Sequence, residues 1–201
     1  MLQKRDNYAI QANDARLRFL RYDQSAMPAE KDDDFLYLCF CGFDYRICRT
    51  DGHIFRKAGE SWRPADSHGE VLTIYDYLCD ARPGRAPANA FATITSLGSH
   101  VHRQLAARTD ALDRAIDTDP RRFRRVCEGL GGTEAGGGDL CFALRLFPDL
   151  PVLLRFYHSD EEFPPRLDIL WDKNALLFLR YETLWFAAGV LRTRLLEAMG
   201  L

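Results

Sequence analysis

The residues best placed to do chemistry form one run: His158, Ser159, Asp160, Glu161, Glu162, Phe163, Pro164 and Pro165. Clustered carboxylates beside an imidazole can bind a hard divalent cation. Alternatively, their mutual repulsion can raise one carboxyl pKa far enough for general acid work. In the preceding segment Val152, Leu154 and Phe156 share a face, and His158 is next on it. A chain that stays extended adds Asp160 and Glu162 to that face and sends Glu161 to the other. The following segment can return Asp168 and Asp172 to the same neighbourhood. The competing reading is a solvated proline corner, its acids paired with Arg155 and Arg166 or capping a turn. The candidate binding residues are therefore His158, Asp160, Glu161, Glu162 and Asp168.

A second set is Cys39, Cys41 and Cys48, which parity places on one face of a hairpin. Three thiolates can hold zinc or an iron–sulfur cluster. No C-x-x-C spacing accompanies them, and cysteine also serves as a small apolar residue. His100 and His102 form a metal pair only if the chain is extended there, because in a helix they diverge. There is no G-x-S-x-G elbow and no catalytic-cysteine signature, so no catalytic residue and no cofactor can be named. Gly129 to Gly138 is rich in glycine but follows a helix, precedes a strand and lacks the lysine of a phosphate loop. Arg121, Arg122, Arg124 and Arg125 surround Phe123 as on the solvated face of an amphipathic helix.

The elements that must position these residues are legible from periodicity. Residues 5–22 predict a helix, with Tyr8, Ala12, Ala15, Phe19 and Tyr22 at spacings of three and four. Residues 35–49 predict a hairpin turning at Gly42. With an even-numbered loop, Leu36, Leu38, Phe40, Tyr45 and Ile47 make its core face. Asp51-Gly52 marks a further turn before a short strand at 53–56. Helices are expected over 71–79, 101–116 and from Pro120 to Gly129, the last with Asp119 as N-cap and Pro120 at the first helical position. Strands are expected over 140–146, 152–158 and 167–171. A long closing helix carries a seam of Leu184, Ala188, Leu191 and Leu195. Hairpins and clustered helices without regular β-α-β alternation predict one α+β domain over residues 1–201, its sheet largely antiparallel.

Composition bounds the function. Hydrophobic residues at 47% and charged residues at 28% suit a globular chain with one core. With 27 basic and 29 acidic residues the formal charge is −2, which argues against nucleic acid as a partner. No apolar run reaches the length of a membrane helix, and the polar start lacks a secretory signal. The expected location is the cytoplasm, with all six cysteines reduced.

The C-terminal third carries a recognisable pattern. Pro148-Asp149-Leu150-Pro151-Val152-Leu153-Leu154, then Asp160 to Pro165, then Ile169-Leu170-Trp171-Asp172, then Tyr181-Glu182 opening the last helix, resembles a prokaryotic family, domain of unknown function 3786. The hairpin from Phe40 to Ile47 fits that family's first half more loosely. Trp171 replaces the usual Phe, and Arg180-Tyr181 replaces a Pro-Thr helix cap. The resemblance implies a cytoplasmic α+β domain and no established activity. The expected function is a non-catalytic binding domain for a small ligand, cofactor or protein partner. A metal-dependent enzyme built on His158, Asp160 and Glu162 is the alternative. A homo-oligomer through the apolar last helix is compatible with either.

Overall fold

The first sheet grows from a hairpin whose apolar residues alternate. In the computed structural model, which describes residues 2–98 and 110–201 (side chains of 2–6 apart), β2 (Phe35–Phe40) pairs with β3 (Phe43–Cys48). Leu36 faces Ile47 and Leu38 faces Tyr45, and all four are buried. The two turn residues, Cys41 and Gly42, both have positive φ, 53° and 78°. That is the turn whose twist matches a right-handed hairpin. A short β1 (Glu30–Lys31), then β4 (Ile54–Ala58) and β5 (Ser61–Pro64), complete an antiparallel meander in the order β1-β2-β3-β4-β5. Sequence periodicity gave no hint of β5, whose four residues are largely exposed.

The second antiparallel sheet has the order β6-β10-β9-β8-β7. Its centre is β8 (Leu140–Phe147), β9 (Leu150–Tyr157) and β10 (Arg166–Asp172). The edges are β6 (Phe91–Thr93) and β7 (Thr133–Glu134). Along β9 buried and half-buried positions alternate without a break, the period of a strand with one face on a core. The antiparallel pairing expected from the hairpins is thus divided between two sheets, and the fold is α+β.

Among the described residues the α-helices are α1 (Leu2–Arg21), α2 (His68–Asp80), α3 (Ile94–Leu97), α4 (Ala111–Thr118), α5 (Pro120–Gly129) and α6 (Tyr181–Ala198). Asp110 caps α4 in a reciprocal box with Asp113, and Asp119 caps α5 through Arg122 N, which satisfies donors that a helix start leaves open. As its sequence implies, α6 begins at Arg180 without a side-chain cap. Residues 101–109 of the expected helix, and the pair His100 and His102, lie outside the described residues.

Where the layers meet, Phe40 of the first sheet stacks on Phe147 of the second at 4.8 Å, and Phe147 stacks on Tyr77 of α2 at 3.7 Å. Cys41 N donates to Leu146 O at 2.8 Å, linking the sheets directly. One contiguous set of buried side chains draws on both sheets, α1, α2 and α6. Among the described residues, no helix is long and apolar enough to cross a membrane.

Candidate functional site

The acidic run does not continue its strand. β9 ends at Tyr157, so the alternation expected to carry His158, Asp160 and Glu162 along one face stops there. His158 Nδ1 lies 2.8 Å from Asp117 Oδ1, and Ser159 Oγ donates to Asp117 Oδ2 at 2.6 Å. These bonds, the Ser159 hydroxyl first, hold the Asp117 carboxyl below the usual carboxylate range. Asp160 Oδ1 accepts the backbone N–H groups of Glu162 and Phe163 at 2.9 and 2.7 Å, closing the corner. Asp168 meets Arg166 at 3.1 Å and Arg155 at 3.8 Å. Glu161 and Glu162 are exposed. This is the arrangement of the solvated corner, with Asp117 as the member that sequence spacing did not reveal.

The cysteines are not brought together either. Cys39 pairs with Asp44 near the turn, whereas Cys48 pairs with Phe35 at the other end of the hairpin. Four residues of strand, roughly 13 Å, separate those ends. Cys41 was expected on the outer face with them, but the turn rotates it into the core, where it is 3% exposed. Burial pushes its thiol well above the ordinary range. Among the described residues, no three His, Cys, Asp or Glu side chains are arranged to hold a metal ion.

The structure instead builds a cleft of about 510 Å³ between the β4–β5 hairpin, the first turn of α2 and one side of α6. That volume lies within the range of small-molecule sites. Beneath its charged floor lies buried Tyr45, which stands opposite Arg56 in the β3–β4 ladder. Tyr45 Oη donates to Glu70 Oε1, and Arg194 Nη2 donates to the same oxygen. Arg194 Nη1 reaches both oxygens of Glu197 at 2.9 and 2.7 Å. Arg56 Nη1 lies 3.6 Å from Glu197 Oε2. The guanidinium groups of Arg56 and Arg194 each sit 5.6 Å from the centre of the Phe43 ring, close enough for cation–π attraction.

Burial, then the charge of Glu70, pushes the Tyr45 phenol upward, so it stays a neutral donor. Burial opposes the charge of Arg194, but its bonds to Glu197 and Glu70 outweigh that and raise its pKa. The walls are half-buried Trp185 and Phe186 on α6, with Gly189 between the walls and the charged end. Such a site can orient a small molecule by charge and cover its apolar part. Sequence reading assigned Tyr45 to the core and passed over Glu70, Arg56, Arg194 and Glu197. One signal was available: Arg194 falls three residues after Leu191 and one before Leu195, in phase with the buried seam of α6.

Comparison with family models matches residues 21–194 to the family described as Domain of unknown function (DUF3786). Neither the curated proteins nor the solved structures contain a match to the chain. A match over that share of the sequence, carried by both sheets, α2 and most of α6, establishes that the chain belongs to the DUF3786 family.

Proposed function

We propose that this chain is a non-catalytic binding domain for a small ligand, which occupies the cleft between β4, α2 and α6. The observation that carries the reading is Gly189. It lies near the middle of the 18-residue α6 and on the cleft wall. A Cβ built there meets no atom within 4 Å. Glycine inside a helix costs about 0.5–1 kcal/mol relative to alanine, and here no close approach demands it. Leaving that position bare keeps the cleft wide. All six cysteines are free thiols, which supports work in a reducing compartment, the cytoplasm.

The test is a ligand-observed NMR screen of a small-fragment set against the full chain and against Gly189→Phe. Fragments that bind the wild type should lose their signal in the variant while its melting temperature stays high. Fragment binding that the variant leaves untouched, or a screen without hits, would refute the reading.

A further inference from the structure

Hydrogen-bond capacity left over in the cleft decides the sign of its ligand. We infer that the ligand is a small organic anion, a carboxylate or phosphate monoester on a flat apolar body, held at its charged end by Arg56. This rests on the cleft reading above. The acceptors on the floor are largely engaged: Glu70 Oε1 takes Tyr45 and Arg194, and both oxygens of Glu197 take Arg194. Asp66 stands exposed at the rim, where water serves it.

The donors are not engaged to the same degree. The Arg56 side chain makes no hydrogen bond among the described residues, and its contact with Glu197, at 3.6 Å, is an ion pair too long for one. A guanidinium offers five N–H donors in a rigid fork suited to carboxylate and phosphate. With 27% of its side chain exposed, Arg56 lines the cleft, its guanidinium 5.6 Å from the centre of the Phe43 ring. The N-terminus of α2, which the Ser67 side chain does not cap, adds the partial positive charge of its peptide dipoles. Trp185 and Phe186 supply the apolar walls for the body of the molecule.

Four probes with the same phenyl body separate the possibilities: benzoate, phenyl phosphate, benzamide and benzamidine, titrated by ligand-observed NMR into the full chain. Benzoate or phenyl phosphate should bind at least tenfold more tightly than benzamide, and whichever binds tighter tells carboxylate from phosphate. Arg56→Met should erase that preference, and Arg56→Lys, which keeps the charge without the fork, should retain part of it. Melting curves of both variants confirm that they are folded. Equal binding of benzamide, a preference for benzamidine, or an anion preference that survives in Arg56→Met overturns the inference. If probes then still compete with fragments lost in Gly189→Phe, the cleft reading stands without the anion. If no probe binds, the anion is excluded, and the fragment screen alone decides the cleft.

Discussion

Arg194 on α6 and Glu70 in the first turn of α2 form an ion pair across 124 positions of sequence. Their exposures are 5% and 3%, so neither charge has water to fall back on. This pair ties the two helices that wall the cleft and fixes the guanidinium at its floor.

Removing one partner should cost far more than removing both. Arg194→Met leaves the Glu70 carboxylate buried beside a single phenol donor, and should destabilise the fold by about 3–5 kcal/mol. Adding Glu70→Gln to Arg194→Met should recover at least about 1 kcal/mol of that loss. Urea denaturation of the two single variants and the double variant measures the coupling. Strict additivity would mean that the pair carries no mutual stabilisation.

Gly189→Ala should be the opposite kind of change. Nothing crowds the new methyl group, and the helix gains about 0.5–1 kcal/mol of stability. The urea midpoint should rise. A fall would show that the glycine answers a packing demand.

Asp172 is fully buried and accepts the backbone N–H groups of Ala88, Asn89 and Asn174 at 2.9, 2.7 and 2.8 Å. It fastens the segment before β6 to the end of β10. Asp172→Ala should leave three part-buried N–H groups without their carboxylate acceptor and cost about 1.5–3 kcal/mol, with hydrogen exchange at Ala88 and Asn89 accelerating first. Exchange rates unchanged at those amides would contradict this role.

Asp117 sets a pH dependence. Its folded pKa lies below the ordinary value, near 3.9 in an unfolded chain. Its contribution is therefore complete above about pH 4 and is lost as pH falls through the lower folded value. Asp117→Asn should destabilise the protein at pH 7 by less than about 1 kcal/mol, since the His158 contact is partly solvated. The difference from wild type should shrink as the pH is taken below 4. A gap that widens on acidification would reverse the assigned sign.

Thiol labelling should divide the cysteines. Burial pushes Cys79 up to about 11 and Cys127 up to about 12, so at pH 8 the thiolate fraction of Cys127 is on the order of 10⁻⁴. Cys39 and Cys48 are half-buried and should label first with iodoacetamide. Cys41, Cys79, Cys127 and Cys141 should label only on unfolding, as mass spectrometry of digests can show.

What the sequence by itself determined is local. The alternation from Leu36 to Ile47 settled which hairpin face is core, because side chains in strands alternate regardless of what lies opposite. Asp119-Pro120 announced α5 through chemistry confined to one turn. Parity failed at the points where the backbone leaves the regular strand: at Cys41, where positive φ turns the side chain inward, and after Tyr157, where the strand ends and the chain then bends at Glu161 and Glu162.

Only the tertiary structure decided the cleft. Tyr45, Arg56, Glu70 and Arg194 come from two strands and two helices, and nothing in their individual spacing requires that they meet. Each charge on its own reads as surface, because burial of an ion is unfavourable until a partner of opposite sign arrives. That partner is supplied by packing α2 and α6 against the first sheet, an event that sequence period records only as two apolar stripes.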